Sequence, residues 1–166
     1  VLKYNPNDFE AQFQIAQALM DEQKWEEASA ELERLSRSHP KNVEVLNLLG
    51  WALLNSGQVD NAFQVWRRSL GIDPKNFATK DTLIRAHLSL GKKLRESGLF
   101  TPALVHFKQL ARYLGNDSPE AHMEIAITYD MKGDIRSAAA EYNMVVQLDP
   151  KNKIARKALT ELKMKR

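Results

Sequence analysis

The sequence predicts an all-α fold built from repeated pairs of helices. Prolines recur 34 residues apart at Pro6, Pro40 and Pro74, and a fourth copy of the same phrase carries Pro150. Apolar residues between these prolines follow the spacing of one helix face and do not alternate as in a strand. In most units a turn that contains glycine divides the segment in two, so each unit is expected to form helix, turn, helix.

Local start and stop signals place the first four helices. Asn and Asp residues that follow each proline begin a helix, and Gly57 ends one at a position that tolerates a left-handed backbone. The first unit has the polar stretch Asp21–Lys24 in place of glycine, so this turn is less strongly specified. The helices predicted from these signals are 8–21, 25–38, 42–55 and 59–71.

The third unit departs from the regular period. Counted back from Gly91 and Gly98, Pro74 lies seven residues too early, so the first helix of this unit is about two turns longer than the others. This insertion is either tolerated at the surface or forms a protruding helix end that meets a partner. The remaining helices are predicted at 76–97, 100–114, 119–132, 135–148 and 152–164, the last one covering the end of the repeats.

Composition argues against several functions. The 166 residues are 43% apolar and 27% charged, as in a soluble folded domain, and the absence of Cys excludes disulfides, thiolate metal sites and Cys nucleophiles. No apolar run could span a bilayer. The chain has no phosphate-binding loop, HExxH motif or nucleophile elbow, and its four histidines are scattered. We therefore expect no enzymatic activity, no cofactor and no metal, and the cytoplasm is slightly favoured as the compartment.

The net charge of +3 conceals blocks of opposite sign. Basic residues are in excess over 75–115 and 151–166, and acidic residues over 1–40 and 116–150. Basic blocks could contact phosphates, but aromatic residues are not interleaved with the cations of the C-terminal tail, so nucleic acid is a disfavoured partner. Opposite charges on successive units also allow head-to-tail self-association.

Residues 41–74 carry the clearest copy of the unit. A close helix crossing needs a small residue at the contact, here Gly50 against Ala62, with larger side chains such as Trp66 around it. This spacing resembles the 34-residue tetratricopeptide repeat (TPR), and the resemblance covers essentially the whole chain. The matching positions in residues 41–74 are Leu46, Leu49, Gly50, Leu53, Gly57, Ala62, Trp66, Ser69 and Pro74.

The TPR resemblance implies a right-handed superhelical α-solenoid that acts as a scaffold or adaptor and not as an enzyme. It implies one domain over 1–166, with repeats at about 7–40, 41–74, 75–115 and 116–150 and a capping helix at 151–166. Residues 1–6 resemble the last turn of another second helix. The chain is therefore expected to be a fragment of a longer one.

In this family the first helices line a concave groove, which implies binding of a peptide or protein segment. The carried-over positions form an apolar stripe beside three cations, so the expected ligand has apolar and acidic residues. Trp51 is the first choice as anchor because it lies outside the packing pattern. The predicted groove residues are Phe13, Gln17, Met20, Asn47, Trp51, Leu54, Asn55, Arg85, Leu88, Lys92, Arg95, Met123 and Ile127.

Three other interpretations compete with the groove. Several groove residues could simply pack against neighbouring helices. One TPR subtype clamps an acidic C-terminus, but among its positions here only Arg85 has the required charge, so a carboxylate clamp is excluded. The alternative function is a self-associating structural scaffold that assembles through its ends or convex surface.

Overall fold

A computed structural model describes residues 8–164, which form nine α-helices and no strand. The prediction of an all-α repeat fold is confirmed, and each helix begins and ends within one residue of its predicted bounds. Residues 1–6, which were expected to end another second helix, lie outside the described range. The last two residues of the predicted capping segment lie outside it as well. The helices are α1 Phe9–Asp21, α2 Trp25–Ser38, α3 Val43–Asn55, α4 Val59–Ile72, α5 Phe77–Glu96, α6 Phe100–Leu114, α7 Pro119–Lys132, α8 Ile135–Leu148 and α9 Lys153–Met164.

The repeated Pro-Lys-Asn phrase begins a helix through its Asn side chain. Asn42 Oδ1 accepts a hydrogen bond from the Val45 backbone N–H at 3.0 Å, and Asn152 Oδ1 accepts one from Ala155 at 3.0 Å. Each bond satisfies a backbone N–H of the first turn that has no partner within the helix. The proline phrase therefore separates two consecutive helices, and its Asn caps the helix that follows it.

The turns inside the units use a left-handed backbone. Gly57, Gly98 and Gly133 have φ values of 85°, 75° and 83°, as the sequence predicts. In the first unit Gln23 adopts this conformation, with φ of 59°. Because a side chain makes this conformation unfavourable, the first turn is strained relative to its glycine-containing counterparts.

The chain divides into two compact units, Val1–Thr82 and Leu83–Arg166, with the boundary inside α5. In the first unit α1 packs on α2, α2 on α3, and α3 on α4. In the second unit α6 packs on α7, α7 on α8, and α8 on α9. The helix α5 has 20 residues, against 13 or 14 in α1, α3 and α7.

A small residue on the first helix of a pair faces a large residue on the second. A Cβ atom at Gly50 would overlap the indole ring of Trp66, and one at Gly91 would overlap the ring of Phe107. Trp66 and Phe107 are fully buried. The three atoms nearest to a Cβ at Gly50 all belong to the Trp66 ring, which was expected around this crossing; the contact of Gly50 with Ala62 stays a prediction.

Candidate functional site

The predicted groove residues of the first unit lie on α1 and α3. Phe13 is only 8% exposed and stacks on Phe9, with ring centroids 5.6 Å apart, so it belongs to the packing of the unit. Gln17 and Asn55 are exposed. The half-buried members are Met20, Asn47, Trp51 and Leu54.

Trp51 is held against the core by one edge. Its ring meets the buried Trp66 ring at a centroid distance of 5.6 Å and an interplanar angle of 76°. Trp66 is fixed in turn by Phe63, which it meets edge to face at 5.5 Å. Trp51 therefore takes part in packing, as the packing interpretation of the groove residues allows, while its half-buried state leaves surface for a ligand. A large ring with a fixed orientation is a favourable binding anchor, because little conformational entropy is lost on binding.

Asn47 carries a buried acceptor one turn before Trp51. Its backbone oxygen accepts a hydrogen bond from Trp66 Nε1 at 3.1 Å. Its side-chain Oδ1 is buried, and no group among residues 8–164 donates a hydrogen bond to it. A buried acceptor without a donor costs about 1–3 kcal/mol. Because Asn47 lowers stability in this way, it is a candidate for a role in binding.

The apolar groove residues of the second unit share their surface with the core. Leu88 packs against the cluster that contains Phe107 and Ile125. Met123 and Ile127 pack against the cluster formed around Tyr142 and Val145. All three are half-buried, so each has both a packing side and a partly accessible side. Arg85, on the same helix as Leu88, is exposed.

The other two predicted cations converge on one carboxylate of α7. Arg95 Nη1 lies 2.6 Å from Glu124 Oε2, and Lys92 Nζ lies 3.2 Å from Glu124 Oε1. The guanidinium of Arg95 lies 5.2 Å from the centroid of the Phe107 ring, and its side chain is 11% exposed. Sequence reasoning missed Glu124, although the change of charge sign between residues 75–115 and 116–150 was a signal for such a pairing.

Three of the four histidines contact side chains of neighbouring helices. His87 is buried and stacks on Tyr113 at 5.7 Å, and its Nδ1 lies 3.0 Å from that of His106. His122 Nδ1 lies 2.6 Å from Glu141 Oε2, and its Nε2 donates to the Asn116 carbonyl at 2.8 Å. Within residues 8–164, no three His, Asp or Glu side chains are grouped so that they could hold a metal ion.

None of the helices within residues 8–164 combines the length and apolar character that a bilayer span requires.

Two titratable groups of the second unit have shifted pKa values for structural reasons. Burial raises the pKa of the Tyr142 phenol above its usual 10.0. The backbone N–H of Ser137, and then its hydroxyl, donate hydrogen bonds to Asp134 and lower the pKa of that carboxyl below 3.8. Asp134 thereby caps α8.

Residues 13–77 match the family model of the tetratricopeptide repeat. No curated protein matches the chain at a significant level. The family match includes the first unit's groove positions from Phe13 to Asn55.

Solved structures of similar fold cover nearly the whole chain. MamA from residue 41 to its end, from Desulfovibrio magneticus RS-1, is 19% identical with a TM-score of 0.55, and the match covers 96% of this chain and 85% of that one. A TPR repeats protein from Bacteroides fragilis NCTC 9343 is 10% identical with a TM-score of 0.65, covering 96% and 84%. YrrB, described as a TPR protein with an unusual peptide-binding site, is 18% identical with a TM-score of 0.53, covering 93% and 75%. At these identities the similarity establishes the fold.

Proposed function

We propose that this chain, whose residues 13–77 match the tetratricopeptide repeat family model, is a non-catalytic interaction module that binds a peptide or protein segment along first helices such as α3. The observation that carries the proposal is Trp51, a large ring held by the core and still partly accessible. YrrB, a TPR protein of similar fold, has a peptide-binding site. A scaffold or adaptor role follows from such binding.

The α3 face of the first unit has the chemistry that a peptide segment needs. Asn47, Trp51 and Leu54 are four and three residues apart, so they lie along one side of the helix. The ring of Trp51 and the side chain of Leu54 would bury an apolar ligand residue. A backbone N–H of the ligand would supply the missing donor for Asn47 Oδ1 after a small rotation of the amide.

Acidic character of the ligand has less support than apolar character. Arg95 and Lys92 were expected to select acidic residues, but both contact Glu124. A ligand carboxylate would have to compete with that internal one. The proposed ligand is therefore chiefly apolar where it meets α5 and α7.

The test is the effect of Trp51→Ala on capture of partners, with Trp25→Ala as the matched control. Trp25 is also half-buried but lies at the start of α2, a second helix of a pair. We expect Trp51→Ala to lose the proteins that the wild type retains, and Trp25→Ala to keep them. Loss of an anchor ring typically costs about 2 kcal/mol or more of binding free energy. Retention of every partner by a folded Trp51→Ala protein would refute the groove proposal.

Self-assembly is the second candidate, and the surface of α1 favours it. In α3, α7 and α9 the third and tenth residues after the N-cap are fully buried or nearly so. Their counterparts in α1 are Ala11, which is half-buried, and Ala18, which is exposed, and the nearby Ile15 is 41% exposed. This face could receive a helix of another molecule.

Sedimentation velocity over a range of concentrations separates the candidates. A self-assembling scaffold would grow with concentration, Ala18→Glu would abolish the growth, and Ala30→Glu on the exposed side of α2 would leave it unchanged. A protein that stays monomeric at every concentration would exclude this candidate.

A further inference from the structure

We propose that Glu124 is a specificity-determining residue: by occupying Lys92 and Arg95, its carboxylate makes this part of the second unit reject acidic ligand groups and accept neutral ones. The inference rests on the proposed function, because it concerns what the first helices α5 and α7 bind. It assigns the role to a residue that is not among the predicted groove positions.

Both oxygens of the Glu124 carboxylate are in use. Oε1 lies 3.2 Å from Lys92 Nζ and Oε2 lies 2.6 Å from Arg95 Nη1. The same nitrogen of Arg95 lies 3.4 Å from Thr128 Oγ1, so Arg95 is tied to α7 at two side chains. The arrangement reproduces, inside the chain, the contacts that two cations would make with a ligand carboxylate.

An acidic ligand would gain little by displacing Glu124. The internal carboxylate is already positioned, whereas a ligand loses translational and rotational freedom when it binds. The side chain of Glu124 is 15% exposed, so displacement would leave a largely buried charge without its partners. The ligand would also have to approach a carboxylate of like charge. A neutral ligand residue also loses freedom on binding, but it does not displace Glu124 and meets neither of the two electrostatic costs.

Substitution of the carboxylate by an amide should reverse the preference. In Glu124→Gln the amide oxygen still accepts a hydrogen bond from Arg95, so the contact between α5 and α7 is kept. The negative charge is removed, and the positive charge of Lys92 and Arg95 becomes available to a carboxylate from outside. The matched control is Glu120→Gln, which removes one charge from the same helix at an exposed residue that contacts Ser118.

The experiment measures binding of hexaglutamate and hexaglutamine peptides to the full chain at low ionic strength, where charge effects are largest. We expect Glu124→Gln to bind hexaglutamate about tenfold more tightly than the wild type does, with no such gain for hexaglutamine or for Glu120→Gln. Equal hexaglutamate binding by Glu124→Gln and Glu120→Gln, including no binding by either, would overturn the inference.

A second variant covers the case in which Glu124→Gln does not fold. Lys92 is 45% exposed, so Lys92→Ala is expected to fold. If Glu124 already satisfies this cation, Lys92→Ala lowers the hexaglutamate affinity of the otherwise wild-type chain by no more than Lys93→Ala does, which removes the same charge from an exposed site on the same helix. A clearly larger loss for Lys92→Ala than for Lys93→Ala would show that Lys92 is open to acidic ligands and would contradict the inference. Neither measurement involves Trp51, so a failure here is distinct from a failure of the groove proposal.

Discussion

Trp66 is the residue on which the best-defined helix pair depends. Its ring covers Gly50, donates a hydrogen bond to the Asn47 carbonyl and supports the edge of Trp51. Packing, a backbone hydrogen bond and the proposed binding residue therefore meet at one side chain. A larger side chain at Gly50 should lower stability by displacing Trp66, because a fully buried ring in a close-packed core has little space to move.

We expect Gly50→Ala to lower the free energy of unfolding by about 1–3 kcal/mol, since the added methyl group overlaps the Trp66 ring. The matched control is Gly71→Ala on α4, where a Cβ atom would meet no other atom within 4 Å. The control should be neutral or stabilising by up to about 1 kcal/mol, because Ala favours helix more than Gly does. Urea denaturation measures both. Equal effects of the two substitutions would contradict the packing account.

Tyr142 gives a pH-dependent prediction at the residue scale. Burial raises its pKa in the folded state above the value of 10.0 expected when unfolded. Its contribution to stability is fully present below pH 10 and is lost as the pH rises from there through the folded-state pKa. Urea denaturation between about pH 8 and 11 should show that the wild type loses more stability than Tyr142→Phe does. An equal loss of stability with pH in the two proteins would mean that ionisation of the Tyr142 phenol does not cause the loss.

At the scale of the elements, each turn is determined by one residue with a left-handed backbone. Three of the turns use glycine, which adopts this conformation without strain: Gly57, Gly98 and Gly133. Gln23 adopts it although its side chain makes it unfavourable. The sequence already marked the first turn as less strongly specified, because it lacks glycine. The structure identifies which residue bears the strain.

Gln23→Gly should raise the free energy of unfolding by about 1 kcal/mol, as the strain of the side chain is removed. Part of this gain is offset by the greater freedom of Gly in the unfolded chain. Gln58→Gly is the control, because Gln58 follows the corresponding turn with an ordinary φ of −85°. Thermal or urea denaturation should show a gain only at position 23. A loss at position 23 would mean that Gln23 makes contacts that outweigh its backbone strain.

The helix bounds and the side-chain partners differ in how far they could be predicted. Asn42, Asn152 and the turn glycines act on backbone atoms a few residues away, so the sequence alone places the helix ends. The side chain that packs on Gly50 could not be predicted in the same way, because it depends on how a ring from another helix is oriented. The pairing of Arg95 with Glu124 joins residues 29 apart, and no local signal specifies it.

At the scale of the whole molecule, both units pack a large ring of one helix on a glycine of another and differ in the residues at their predicted groove positions. The first unit has Trp51 and the Asn47 acceptor at these positions, whereas the second has apolar residues beside two cations that both contact Glu124. The predicted single domain, its repeat boundaries and the capping role of α9 remain predictions. The proposed function rests on the apolar residues among these predicted positions.

Site-specific photo-crosslinking tests this central claim most directly. Gln17 on α1 and Gln64 on α4 are both exposed glutamines, but only Gln17 is a predicted groove residue. A photoreactive residue at each position in turn would be irradiated in the presence of the proteins that the wild type captures. The account predicts crosslinks from position 17 and none from position 64. Crosslinks from position 64 alone would place the ligand on the second helices and contradict the account.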